Sequence, residues 1–121
     1  MNGARRKVVF DCDPGVDDAF ALALAARHVD LIGITTTFGN APIGHTTYNA
    51  LAIAEAQQLQ CPFMQGAAGP EAAGGKALTS HAVDIHGNDG MGGARITTDR
   101  KADGDNAAQF LAQTLADPDV A

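Results

Sequence analysis

The sequence predicts an α/β fold with a mostly parallel sheet flanked by helices, and three observations support this prediction. Short apolar or β-branched stretches alternate with longer stretches of helical character along the chain. The length of 121 residues suits one domain, so residues 1–121 are predicted to form a single α/β domain. The hydrophobic fraction of 45% is ordinary for a globular protein, which argues against disorder.

The first half of the chain predicts two strand–helix units. Val8–Cys12 is an apolar run and is predicted to be the first strand, and Asp17–His28 is predicted to be the first helix. This helix is apolar on nearly every face, so we expect it to be buried against the sheet and other helices. Leu31–Thr37 is a β-branched run and predicts a second buried strand. A second helix is predicted from about Gly44 to Leu59, where apolar residues recur near helical spacing.

The second half of the chain predicts less regular structure. Pro62–Met64 is predicted to be a short third strand. Ala67–Ile96 is rich in Gly and Ala without clear periodicity, and a connection this long is often functional. A last helix is predicted over Ala107–Ala116, with Asp105 or Asn106 as its cap.

Net charge and cysteine content indicate which partners and which cellular compartment suit the protein. The net charge of −6 makes a nucleic-acid backbone an unfavourable partner. Cys12 and Cys61 are too few for a disulfide framework, and Cys12 is predicted to pack as a small apolar residue. We find neither a secretory signal nor an apolar run long enough to span a membrane, so we expect a cytoplasmic protein.

Four aspartates fall within eight residues where the first strand gives way to the first helix: Asp11, Asp13, Asp17 and Asp18. Alternate strand residues share a face, so Asp11 and Asp13 point the same way. Two carboxylates about 4 Å apart repel by roughly 4 kcal/mol at an effective dielectric of 20, so the cluster needs a cation, shared protons or aimed donors. We expect a hard cation, Ca²⁺ or Mg²⁺. The alternative is that Asp17 or Asp18 only caps the helix while Asp11 bonds a loop.

Two further polar residues are predicted to join this acidic corner. Asn40 follows the second strand and falls at the same sheet edge as Asp13, where ligands bind in parallel sheets. It is predicted to bond a polyhydroxyl ligand or, alternatively, to serve only as a turn residue. His86 lies in a polar loop and is predicted to contact a ligand. His28 and His45 are predicted to be surface or capping residues.

Three segments of the chain resemble a known family in the right order. DCDPGVDDAFAL at 11–22, ITTTFGN at 34–40 and IHGNDGMGG at 85–93 are similar to the N-terminal part of the inosine-uridine-preferring nucleoside hydrolases. The resemblance runs through nearly the whole chain. It implies a Rossmann-like nucleoside hydrolase fold, incomplete here, and Ca²⁺-dependent hydrolysis of the N-glycosidic bond of ribonucleosides to ribose and free base.

The resemblance also implies how the metal is held. Asp13 is expected to ligate Ca²⁺ and to act as general base on a water held by the metal. Asp18 is expected to be a second ligand, and Asp11 is expected to support Asp13 without contacting the metal. Family members are more than twice as long, and their later part supplies further ligands. Since Ca²⁺ takes six to eight oxygens, we expect these 121 residues alone to bind it weakly and to turn over slowly or not at all. The chain is expected to be a truncated product, a fragment or half of a split enzyme.

For the substrate, the resemblance implies that Asp17 and Asn40 bind ribose hydroxyls and that His86 lies near the base. The implied partner is a ribonucleoside, and association is expected either as a homo-oligomer or with a complementing C-terminal chain.

Two other functions stay open on the sequence. One is a catalytically silent module that binds ribose or metal. The other is a phosphatase of the haloacid dehalogenase type, which also begins with D-x-D after a strand, phosphorylates the first aspartate and binds Mg²⁺. Pro14-Gly15 followed by Asp17-Asp18 suits that phosphatase poorly.

Overall fold

The computed structural model describes residues 3–70, 74–77 and 80–121 and has the predicted α/β architecture. Its sheet has three parallel strands in the order β1-β2-β3. The strands are β1 (Lys7–Cys12), β2 (Asp30–Thr36) and β3 (Phe63–Gln65). The helices of the described residues are α1 (Val16–His28), α2 (Ile43–Ala56), α3 (Val83–His86) and α4 (Ala107–Thr114).

Helices cover both faces of this sheet. On one face, side chains of the strands form the hydrophobic core with α1 and α2: Cys12, Leu22, Ile34, Ala50, Leu51, Ile53, Ala54 and Phe63. On the other face, the Phe110 ring of α4 lies against Gly33, where an added Cβ would meet the ring at 2.5 Å. Parallel sheets are usually buried on both faces in this way, because their crossover helices pack there.

The predicted burial of the first helix on all sides is wrong. Leu22 is fully buried, but Phe20 is 75% exposed and Leu24 is 62% exposed. Phe20 and Leu24 are four residues apart and therefore neighbours on one face, away from Leu22. Because every position from Ala19 to Ala26 is Ala, Leu or Phe, this part of the helix gives no contrast that would indicate its buried side.

The second helix ends at Ala56, earlier than the predicted Leu59. Gln58 takes a left-handed φ of 58°, and the Leu59 N–H donates to the Ala54 carbonyl at 2.9 Å. A residue in the left-handed conformation thus ends this helix. Gly or Asn usually occupies such a position, so a glutamine there did not predict the helix end.

Two differences concern the second half of the chain. The predicted irregular stretch contains the short helix α3, while residues 71–73 and 78–79 of that stretch lie outside the described residues. The last helix begins at Ala107 as predicted and ends at Thr114. Of its two candidate caps, Asn106 is used: its Oδ1 accepts the Gln109 N–H at 3.2 Å.

Cys12 packs as a small apolar residue, as predicted. It is 4% exposed, and its thiol donates to the Thr35 carbonyl at 3.5 Å. Burial is the main cause that raises the pKa of the Cys12 thiol far above its ordinary value, and burial also raises the pKa of Cys61. Both cysteines are free thiols. Within the described ranges, every helix is too short or too polar to cross a bilayer.

Candidate functional site

The acidic corner is built around the turn between β1 and α1. Gly15 precedes the helix in an extended conformation and has no side chain with which to cap it. The cap comes instead from His86 of α3, whose Nδ1 accepts the Val16 N–H at 3.1 Å. An added Cβ at Gly15 would come within 2.5 Å of this ring nitrogen, so glycine lets the imidazole approach the turn.

Asp13 and Asn40 meet where the carboxyl ends of β1 and β2 lie side by side. The Asn40 N–H donates to Asp13 Oδ2 at 2.9 Å, and Asn40 Nδ2 donates to the Asp13 carbonyl at 3.1 Å. Gly39 precedes Asn40 with a φ of 157°, and a Cβ there would collide with Asp13 Oδ2. The predicted shared edge of these two residues is therefore present, and the backbone N–H of Asn40 orients the Asp13 carboxylate.

Asp18 turns back from the first turn of α1 toward Asp13. Its Oδ2 accepts the Asp13 N–H at 3.0 Å. Burial raises the pKa of Asp18, and the negative charges of Asp13 and Asp17 raise it further, against the lowering effect of the Asp13 hydrogen bond. A cation beside Asp13 and Asp18 would stabilise the ionised carboxylates, and among the described side chains no Lys or Arg forms an ion pair with them.

The donor atoms of this corner suit a hard cation in type but are few. Asp13 and Asp18 offer carboxylate oxygens, which are the ligands that Ca²⁺ and Mg²⁺ prefer. One oxygen of each already accepts a backbone N–H. Over the described ranges, no group of three or more His, Cys, Asp or Glu residues is placed to hold a metal ion. These two carboxylates alone therefore do not complete the coordination shell that such a cation requires.

His86 and Asp17 lie on the outer side of the same turn. His86 Nε2 is 4.0 Å from Asp17 Oδ1, and the imidazole is largely buried whereas the Asp17 side chain is 74% exposed. Because Nδ1 accepts the Val16 N–H, the ring proton of a neutral His86 sits on Nε2 and faces Asp17. The short helix α3, which carries His86, is thus joined to the acidic corner across 70 residues of sequence.

Asp11 lies in β1, two residues before Asp13, and is held by a different partner. Its Oδ1 accepts the Thr35 hydroxyl at 2.6 Å, which ties β1 to β2, and its side chain is exposed. Its support of Asp13 stays a prediction. His28 and His45 are exposed, as predicted.

Asn49 of α2 is a positioning residue that the sequence did not reveal. It is 4% exposed, and its Nδ2 donates to the Pro14 carbonyl at 3.2 Å and to the Asp89 carbonyl at 2.7 Å. It therefore fastens the β1–α1 turn to the loop after α3. The available signal was an amide on the apolar face of a predicted helix, where a polar group requires partners.

Asp89 orders that loop through its own side chain. Its Oδ1 accepts the N–H groups of Met91 at 2.9 Å and Gly93 at 3.3 Å. These two hydrogen bonds hold the pKa of Asp89 below its ordinary value.

We expect Asn49→Asp to destabilise the protein by about 1–3 kcal/mol, because a buried carboxylate would face two carbonyl oxygens without a proton to donate. The matched control is Asn88→Asp, which makes the same change at an exposed position of the loop after α3 that Asn49 contacts. Thermal unfolding near neutral pH measures both. Equal unfolding midpoints for the two variants would contradict the fastening role of Asn49.

Comparisons with known proteins match most of the chain to one family. The model of the inosine-uridine preferring nucleoside hydrolase family matches residues 8–120. A probable uridine nucleosidase 2 from Oryza sativa subsp. japonica is 38% identical over 118 residues, covering 92% of this chain and 34% of that protein. The pyrimidine-specific ribonucleoside hydrolase RihB of Escherichia coli O9:H4 (strain HS) is 34% identical over 114 residues, covering 92% of this chain and 35% of RihB.

Solved structures agree with these relatives. The plant nucleoside hydrolase PpNRh1 superposes with a TM-score of 0.81 at 29% identity, over 96% of this chain and 38% of that structure. An inosine-guanosine nucleoside hydrolase superposes with a TM-score of 0.65 at 26% identity, over 95% of this chain and 37% of that structure. The chain spans about a third of the length of the curated relatives it matches.

Proposed function

Because the chain belongs to the inosine-uridine-preferring nucleoside hydrolase family, we propose that its acidic corner serves hydrolysis of the N-glycosidic bond of ribonucleosides, giving ribose and free base. The observation that carries the proposal is the Asp13 carboxylate, which is oriented by the Asn40 N–H at the carboxyl edge of the sheet. Relatives named as uridine nucleosidase and ribonucleoside hydrolase support the same substrate class. Family membership favours this reaction over the phosphatase alternative.

The corner is proposed to hold Ca²⁺ through Asp13 and Asp18. The oxygen donors of the two carboxylates fit this hard cation, and the crowding of negative charge around Asp18 favours a cation there. When bound, Ca²⁺ would supply positive charge that orients a water molecule and eases its deprotonation. The pair leaves most of the shell to other oxygens, which agrees with the short span of this chain relative to its relatives.

Asp13 is proposed to act as the general base. Its Oδ2 is fixed by Asn40, which leaves its other oxygen to accept a proton from the attacking water. The transition state at the sugar carbon has oxocarbenium character, and nearby carboxylates stabilise that developing positive charge.

Asp17, Asn40 and His86 are proposed to bind the substrate. Asp17 is exposed at the first turn of α1, where its carboxylate can accept hydrogen bonds from ribose hydroxyls. Asn40 would bond the sugar with its side-chain oxygen, since its Nδ2 is engaged by the Asp13 carbonyl. His86 would present its Nε2–H on the same side, toward the base. The binding free energy of such contacts would hold the sugar in the orientation that the reaction needs.

Incubation of the chain with inosine or uridine and Ca²⁺ tests the proposal. The expected result is slow release of free base, measured by liquid chromatography, together with release of reducing sugar. The converging pair of carboxylates also allows a second function, a ribose- or metal-binding module without turnover. Thermal stabilisation by a nucleoside with no released base would favour this second function and contradict the enzymatic proposal.

A further inference from the structure

The peptide unit between Gly39 and Asn40 joins the acidic corner to a histidine that takes no part in the proposed chemistry. The N–H of this unit belongs to Asn40 and donates to Asp13 Oδ2 at 2.9 Å. The carbonyl of the same unit belongs to Gly39, and its oxygen lies 2.8 Å from Nδ1 of His81. One planar group therefore has the Asp13 carboxylate at one end and the His81 imidazole at the other.

The contact with the carbonyl determines which nitrogen of the His81 ring carries a proton. A carbonyl oxygen can only accept a hydrogen bond, so Nδ1 of the half-buried His81 is the donor. His86 has the opposite arrangement, since its Nδ1 accepts the Val16 N–H. The two histidines therefore differ in what they hold: His86 caps α1, and His81 binds the turn that carries Asn40.

Glycine lets this peptide unit come close to Asp13 but restrains its plane weakly. A Cβ at Gly39 would collide with Asp13 Oδ2, so the close approach requires glycine. Glycine also adopts backbone conformations that other residues avoid. Rotation of the Gly39–Asn40 plane would turn the Asn40 N–H away from the carboxylate. The orientation of Asp13 therefore depends on what holds this plane.

The start of the same turn is anchored on both sides of Thr37. The Thr37 N–H donates to the Cys12 carbonyl at 3.0 Å, and the Thr37 carbonyl accepts the Thr46 hydroxyl at 2.9 Å. Thr46 is fully buried in α2, so this end of the turn is fixed to the core. Further along the turn, His81 supplies to the Gly39 carbonyl the kind of side-chain donor that Thr46 supplies to the Thr37 carbonyl.

We propose that His81 is a positioning residue for the Asp13 carboxylate and acts through the Gly39–Asn40 peptide unit. Its Nδ1–H holds the plane of that unit, so the Asn40 N–H stays directed at Asp13 Oδ2. It also polarises the unit, because hydrogen bonds in a chain strengthen one another. The inference rests on the proposed function only where Asp13 serves as general base, since the orientation of the carboxylate can be measured without turnover.

Exchange of the Asn40 amide proton, followed by NMR without nucleoside, tests this orientation. His81→Asn keeps a donor, because the asparagine Nδ2 is bonded to Cγ as Nδ1 is in histidine. His81→Leu has the same number of side-chain heavy atoms as asparagine but no proton to donate. Both variants lose the ring and any other contact it makes, so the comparison between them isolates the donated proton.

The Asn40 amide is expected to exchange about tenfold faster in His81→Leu than in His81→Asn. His81→Ala is expected to match His81→Leu, which controls for misfit of the larger side chain. The Asp30 amide, which donates to the Arg6 carbonyl at 2.9 Å at the amino end of the sheet, is expected to exchange alike in all variants. Equal exchange of the Asn40 amide in His81→Asn and His81→Leu overturns the proposal. So does equal acceleration at Asp30, because His81 would then only stabilise the whole fold.

Steady-state hydrolysis at saturating Ca²⁺ gives a second readout. His81→Leu is expected to lower kcat about three- to tenfold with KM little changed, because Asp13 is proposed to act on the attacking water and not to bind ribose. His81→Asn is expected to recover most of this loss. A raised KM with unchanged kcat in His81→Leu would overturn the positioning role. Absence of hydrolysis in every chain, the unaltered one included, would contradict the proposed function, and exchange of the Asn40 amide would still decide this inference.

Discussion

Replacing Phe63 by alanine is expected to destabilise the protein by about 3–5 kcal/mol. Phe63 lies in β3, is fully buried and is among the largest side chains in the core. Its loss would open a cavity beside Ile34 and Leu51 and would also remove the face on which the Arg100 guanidinium lies, 5.5 Å from the ring centroid. The total free energy of unfolding of a domain is about 5–15 kcal/mol, so this substitution would remove a large fraction of it.

Phe20→Ala is the matched control, because it deletes the same atoms from α1. Phe20 is 75% exposed, so its truncation leaves no cavity and is expected to cost less than about 1 kcal/mol. Chemical denaturation of the two variants measures the difference between them. Comparable losses of unfolding free energy would mean that the outer face of α1 is covered in solution, contrary to the structure.

Replacing Asp13 by asparagine is expected to lower the rate of nucleoside hydrolysis by about 10²–10⁴-fold, because the amide cannot accept the proton of the attacking water. The fold is expected to survive the change. An asparagine oxygen can still accept the Asn40 N–H that Asp13 Oδ2 accepts now, and no volume is lost.

Asp30→Asn controls for the change in net charge. Asp30 begins β2 and is exposed at the amino end of the sheet, away from the acidic corner. Steady-state rates with saturating nucleoside and Ca²⁺ are expected to match those of the unaltered chain for this variant. Hydrolysis that persists in Asp13→Asn, or falls equally in Asp30→Asn, would contradict the assignment of the general base.

The elements that the sequence predicted well are those whose local pattern and tertiary role agree. Val8–Cys12 and Leu31–Thr37 are apolar or β-branched over a strand's length, and they form the neighbouring parallel strands β1 and β2. Because parallel strands end at the same sheet edge, their order was enough to predict that Asp13 and Asn40 meet.

The features that were missed depend on contacts between distant parts of the chain. The imidazole that caps α1 comes from the short helix α3, 70 residues away, and no local pattern encodes that approach. Asn49 joins two turns that are separate in sequence. The exposed face of α1 was hidden by its uniform apolar composition, since periodicity identifies a buried side only where polar residues mark the other.

The proposed chemistry depends on the claim that the acidic corner binds a hard cation. Calorimetric titration of Ca²⁺ into the chain tests this claim most directly. We predict a measurable heat of Ca²⁺ binding. Asp18→Asn is expected to lower the affinity for Ca²⁺ at least tenfold, and Asp30→Asn is expected to leave this affinity unchanged. The Asp18 variant keeps an oxygen to accept the Asp13 N–H, so the turn itself should persist. No heat of binding in the unaltered chain, or equal affinity in the Asp18 variant, would contradict cation binding at the acidic corner.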